Sequence, residues 1–167
     1  PPMKTLLIST LALAAATLAH AEITTYSADP SHTAVLFEAK HFGTSTVRGR
    51  FDKKEGVVTL DRAAKTGKAE FTFDTGSIST GFAPLDTHLK SKDFFNAAET
   101  PTAKFVGDKF SFDGDKVKEI SGTLTMLGKT NPVTLKANRF NCFQHPMLKR
   151  ERRIVGLGIV RFAAADA

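Results

Sequence analysis

In K-A-E-F-T-F-D, residues Lys68 to Asp74, apolar and polar side chains alternate without a break: Ala69, Phe71 and Phe73 point one way, Glu70, Thr72 and Asp74 the other. A period of two belongs to a strand with one buried face. The same period runs upstream through Thr33 to His41, where Val35, Phe37 and Ala39 oppose Glu38 and Lys40. It resumes in Val47, Gly49 and Phe51 beyond a bend permitted by Gly43. Further short strands are expected over Glu22 to Ser27, Gly56 to Leu60, Ala103 to Phe105, Lys109 to Asp113, Glu119 to Met126 and Pro132 to Asn138. Turn signals separate them at Asp29-Pro30-Ser31, Asp61 to Lys68, Gly107-Asp108, Asp113-Gly114-Asp115 and Gly128 to Asn131. Many short strands with almost no helical period predict an all-β, antiparallel sandwich or barrel.

One stretch breaks this rhythm. Between Thr75 and Phe105 the chain reads TGSISTGFAPLDTHLKSKDFFNAAETPTAKF, far longer than a hairpin loop. Gly76 and Gly81 interrupt the strand pattern, Asp86 and Thr87 are placed to cap a short helical turn, and Leu89, Phe94 and Phe95 supply an apolar face. Long connections in compact domains serve as lids or plugs. The segment therefore reads as a lid, or as a helix that closes one end of the barrel by packing alone.

Composition describes the interior. The 167 residues include fourteen Phe, one Tyr and no Trp, so nearly all the aromatic mass lacks a hydrogen-bonding handle. Such residues suit a packed core or an apolar pocket, and an eight-stranded barrel is of the size that permits either. Setting aside Lys4 and the last sixteen residues, which hold Arg152, Arg153 and Arg161 against Asp166, brings the formal charge of +6 down to +3. With scattered lysines this excludes a nucleic-acid stripe and leaves at most a transient contact with a membrane surface.

Lys4, the apolar run Leu6 to Ala19 and the small residues of Ala19-His20-Ala21 read as a cleaved export signal over residues 1–21, with Pro1 and Pro2 as extra leading residues. Such a signal implies an exported chain. Cys142 is the lone cysteine, so neither a disulfide within the chain nor a cysteine-based metal site is expected. No cofactor or metal motif is present, and no catalytic constellation stands out. Asp86-Thr87-His88 holds an acid and a base at close spacing. Ser31-His32 lacks the glycine-framed elbow of one serine-hydrolase fold, and His32 and His88 read better as residues that fix loops by hydrogen bonding.

Several blocks bear a family resemblance: D-P-S-H-T-A-V-L-F-E-A-K-H (Asp29 to His41), V-R-G-R-F (Val47 to Phe51), D-T-H-L-K-S-K-D-F-F (Asp86 to Phe95) and G-T-L-T-M-L-G-K-T-N-P-V-T-L (Gly122 to Leu135). Together they resemble the YceI-like family of bacterial polyisoprenoid-binding periplasmic proteins, from about residue 22 to residue 151. The resemblance implies a lipocalin-like antiparallel barrel around an apolar tunnel that holds a polyprenyl chain or the tail of an isoprenoid quinone. The implied wall comprises Val35, Phe37, Phe51, Phe71, Phe73, Phe105, Phe110, Phe112, Leu124 and Leu135, closed or gated by Leu89, Phe94 and Phe95.

From residue 152 to 167 the sequence departs from that pattern, reading R-R-I-V-G-L-G-I-V-R-F-A-A-A-D-A. The expectation is a truncated or frameshifted end with the last strands missing or replaced, Ile154 to Phe162 pairing as one makeshift strand, and open edges that favour a homodimer. The leading functional expectation is sequestration or transport of an isoprenoid lipid. The alternatives are an enzyme on a lipidic or quinone substrate using His88 and Asp86 at the barrel mouth, or an interaction module with a filled interior.

Overall fold

The computed structural model describes residues 23–144 and 151–157, with side chains over residues 23–138. The expected export signal, His145 and the end of the tail lie outside the described residues, as does the side chain of Cys142. The strands are β1 (Ile23–Ser27), β2 (Val35–His41), β3 (Ser45–Phe51), β4 (Lys54–Asp61), β5 (Thr66–Asp74), β6 (Ile78–Ser79), β7 (Thr102–Asp113), β8 (Lys116–Met126), β9 (Lys129–Gln144) and β10 (Glu151–Leu157), with one helix, α1 (Ala83–Lys90). Seven strands form a sheet in the order β1-β4-β5-β7-β8-β9-β10, and β2-β3-β6 form a second. Every pairing is antiparallel. This is the lipocalin-like antiparallel class, with no strand pairing closing the two sheets on each other among the described residues.

Local chemistry accounts for most of the connections. Asp61 accepts from Ala64 N at 2.8 Å and tightens the β4–β5 turn. The β8–β9 turn places Leu127 and Gly128 at positive φ, 54° and 69°, as two-residue hairpin turns require. In β7, Gly107-Asp108 is not the expected turn. The register slips between Gly107 and Lys109 and pairing with β8 continues, so Thr102–Asp113 is one bulged strand. Gly122 opposite permits it, because a Cβ there would collide with the carbonyl oxygen of Val106 and lie 2.5 Å from the Cα of Gly107. An extra residue on one strand bends it without ending it.

The insertion is likewise more ordered than its turn signals suggest. Thr75–Ser77 is a 3-10 turn started by Asp74, whose carboxylate accepts from Gly76 N at 2.7 Å. β6 then pairs with the end of β3. Helix α1 starts at Ala83 with Pro84 in its first turn, where a missing N–H costs nothing. Phe82 takes the N-cap position without a side-chain bond. Asp86 and Thr87 are therefore not caps but lie inside the helix, and Thr87 Oγ1 donates to Ala83 O at 3.1 Å. Beyond Lys90 the chain folds on itself: Phe95 N donates to Leu89 O at 3.0 Å, and Thr75 Oγ1 to Thr100 O at 2.9 Å, which fastens the two ends of the insertion together.

The core lies between the sheets. Phe51, Leu60, Phe73, Phe105, Ile120, Leu124 and Leu135 are buried in it, and Ala69 and Ala103 are fully enclosed. On the seven-stranded sheet the inner row Phe71–Phe105–Leu124 runs straight across β5, β7 and β8.

Candidate functional site

Four phenylalanines join the three parts of the molecule. Phe51, at the end of β3, meets Phe73 of β5 at 4.6 Å between ring centres and Phe37 of β2 at 5.6 Å. Phe95, from the insertion, stands edge-on to Phe51 at 5.4 Å and to Phe37 at 6.2 Å. These are the offset and edge-to-face separations that aromatic quadrupoles favour. The small sheet, the large sheet and the insertion thus share one apolar layer at this point.

Of the thirteen residues expected along a tunnel, Phe51, Phe73, Leu89, Phe105, Leu124 and Leu135 are buried in this layer. Val35, Phe37, Phe71, Phe95, Phe110 and Phe112 pack against it half-buried. Phe94 does not join them: it is 44% exposed, and its ring rests on His88 at 4.7 Å. Its neighbour Phe95 turns inward instead, since the Phe95 N–H bond to Leu89 O sets the chain there. Val58, Leu60, Ile78, Val117 and Ile120 also belong to the layer and were not singled out. Val58, Leu60 and Ile120 stand at the inward parity of expected strands, so the same alternation finds them. Val117 precedes the expected start at Glu119 and has the opposite parity to Ile120, turning inward through the register shift at Ser111/Phe112. Ile78 lies in the two-residue β6, too short for any period.

Glycines shape the same surface. The ring of Phe37 occupies the space a Cβ on Gly49 would take, and Phe71 does the same at Gly56, in each case from the directly paired residue of the neighbouring strand. Each ring therefore lies flat along the sheet, bridging two strands.

The polar candidates form local structures. Asp86 Oδ1 accepts from Thr80 N at 2.7 Å and from Thr80 Oγ1 at 2.6 Å, tying α1 back to the end of β6. These bonds, the Thr80 hydroxyl foremost, hold the Asp86 carboxyl below the usual carboxylate range. His88 is not brought to it. Residues two apart on a helix point to different faces, and His88 turns to Phe94. In the β1–β2 loop Asp29 accepts from Ser31 N at 2.9 Å and meets His32 Nδ1 at 3.2 Å. The Ser31 hydroxyl and amide hold its carboxyl well below the usual range. This is turn-fixing chemistry. Among the described residues, no three His, Cys, Asp or Glu side chains converge to hold a metal.

Two antiparallel sheets lined internally by phenylalanine and aliphatic side chains, with a helical insertion laid against their shared layer, define a lipocalin-like protein with an apolar interior. The chain belongs to the YceI-like domain family, whose model matches residues 26–164. That range includes much of the stretch after residue 151 that departs from the expected pattern, where β10 pairs with β9. A "UPF0312 protein" of Pseudomonas aeruginosa is 37% identical over 137 residues, covering 80% of this chain and 71% of the relative. A "UPF0312 protein" of Shewanella denitrificans is 38% identical over 117 residues, 70% of this chain and 61% of the relative. "Protein YceI" of Escherichia coli O157:H7 is 39% identical over 107 residues, 64% of this chain and 56% of the relative. The chain thus spans between about half and three quarters of these relatives' length. Among solved structures, the Campylobacter jejuni YCEI protein is 30% identical with a TM-score of 0.58, covering 77% of this chain and 75% of that one. Burkholderia cenocepacia BcnA is 26% identical with a TM-score of 0.59, covering 70% and 72%.

Proposed function

We propose that this protein binds an isoprenoid lipid, a polyprenyl chain or the tail of an isoprenoid quinone, in the apolar layer between its sheets, and sequesters or carries it through an aqueous compartment. A polyprenyl chain offers no hydrogen bonds, so its affinity must come from buried area, at about 25 cal/mol per Å², and from shape. The observation that carries the reading is the set of rings, Phe71, Phe110 and Phe112, that pack against the core from the large sheet. They are only half-buried there, so part of each ring remains uncovered. Membership of the YceI-like family supports the same ligand class through the resemblance described above. Shielding such a chain from water is itself the activity, and no bond need be made or broken.

An exported, periplasmic location follows from the expected signal over residues 1–21. The test is organic extraction of the folded protein purified from its native compartment, followed by mass spectrometry. An isoprenoid in near-stoichiometric amount is the expected result. A folded sample that neither yields an isoprenoid nor takes one up when incubated with it overturns the proposal.

A further inference from the structure

The β2–β3 hairpin turns on two residues, Phe42 and Gly43, with φ of 49° and 65°, and Thr44 N donates to His41 O at 3.1 Å across it. This is the mirror-image turn whose first position favours Asn, Asp or Gly. A phenylalanine there adopts a backbone region that bulky side chains avoid. Its ring is also 87% exposed, more than any other large hydrophobic residue described. Its ring contact is His41 at 4.4 Å. The Leu127-Gly128 turn repeats the geometry, but Leu127 is only 39% exposed. Phe42 therefore carries two local costs with no burial to offset either, a combination found where a residue serves something outside the fold.

The surroundings select the occupant. A single ring on a two-residue tip is a convex wedge, which fits a soft phase better than a rigid protein surface. Lys40 and His41 stand exposed beside it, and the formal charge is still +3 with Lys4 and the last sixteen residues set aside. β6 runs antiparallel to β3, so the chain leaves Ser79 in the direction of the hairpin tip before reaching Phe82, a second ring that is 62% exposed. We propose that the Phe42 tip docks the protein on a bilayer containing anionic lipid, with the ring at the boundary between headgroups and acyl chains and Lys40 near lipid phosphates. This surface would bring the apolar interior to the membrane from which a lipid is loaded, but it acts whether or not the interior is filled.

Phe42→Asn separates docking from folding, because Asn is favoured at that turn position. The variant is expected to melt at a higher temperature than the unmodified protein, yet to bind vesicles of three parts phosphatidylcholine to one part phosphatidylglycerol about tenfold more weakly. The chain has no tryptophan, so Phe42→Trp supplies a sole indole, whose emission should shift to the blue on these vesicles and less on pure phosphatidylcholine. Three results overturn the proposal: no vesicle association by the unmodified protein, equal association by Phe42→Asn, or loss of a dimer in Phe42→Asn without a change in vesicle binding. The last would make the tip a contact between copies. The vesicles contain no isoprenoid, so an empty lipid extract would count against the carrier function and leave this result standing.

Discussion

At the residue scale, the least replaceable position is a glycine. A Cβ on Gly122 would meet Val106 O and Gly107 Cα, which are backbone atoms of the bulged β7 and cannot swing away. At Gly56 the obstacle is the ring of Phe71, a side chain that can rotate at some cost. Gly122→Ala is therefore expected to lose about 3 kcal/mol or more in urea unfolding, with Gly56→Ala losing clearly less. Equal losses would mean that the ring over Gly56 is as fixed as backbone. Gly49 illustrates what a linear reading reveals and what it hides. Its inward parity between Val47 and Phe51 is visible in the sequence, but the reason for glycine is the ring of Phe37, ten or more residues away until the strands pair.

The insertion sets the element scale. Asp86 binds Thr80 from inside the helix, so it fixes where α1 lies rather than how it begins. That role was hidden because the partner comes six residues earlier, whereas capping rules look to the immediate helix start. Its carboxyl is held below the ordinary value of 3.8, so its contribution is fully present above about pH 4 and is lost as pH falls through the lower folded-state value. Asp86→Asn should destabilise the insertion at neutral pH, and the difference in melting temperature should narrow as the solution is acidified below pH 4. A constant difference down to pH 2 would show that the charge of Asp86 is not what matters. Leu89, the buried anchor of the same element at 9% exposure, makes a separate prediction. Leu89→Ala should cost about 2–5 kcal/mol. Amide exchange should speed up most from residue 75 to residue 101, while the β7–β8 ladder stays protected.

At the scale of the whole molecule, strand and turn signals anticipate nine of the ten strands among the described residues in some form, and twelve of the thirteen residues implied by the family resemblance lie in or against one layer. The exception is Phe94, which is adjacent to Phe95 in a turn, where no period tells which ring goes in. The division of labour within the layer was equally hidden, since period two says that a side chain faces inward but not how much of it remains uncovered. That difference now separates stability from binding. Phe105 is 5% exposed and sits between Phe71 and Leu124 in the sheet, so Phe105→Ala should cost about 3–5 kcal/mol through cavity formation. Phe110 is only half-buried, and Phe110→Ala should cost well under that figure. If the uncovered ring surface is where an isoprenoid lies, Phe110→Ala should nevertheless weaken its retention by about tenfold, the loss of one aromatic contact area. Added polyprenyl lipid should raise the melting temperature of the unmodified protein, because a ligand bound to the native state stabilises it by mass action. The same lipid should raise that of Phe110→Ala less at equal concentration. A Phe110→Ala protein that is stable and holds lipid as tightly as the unmodified chain would move the ligand off the face of β7.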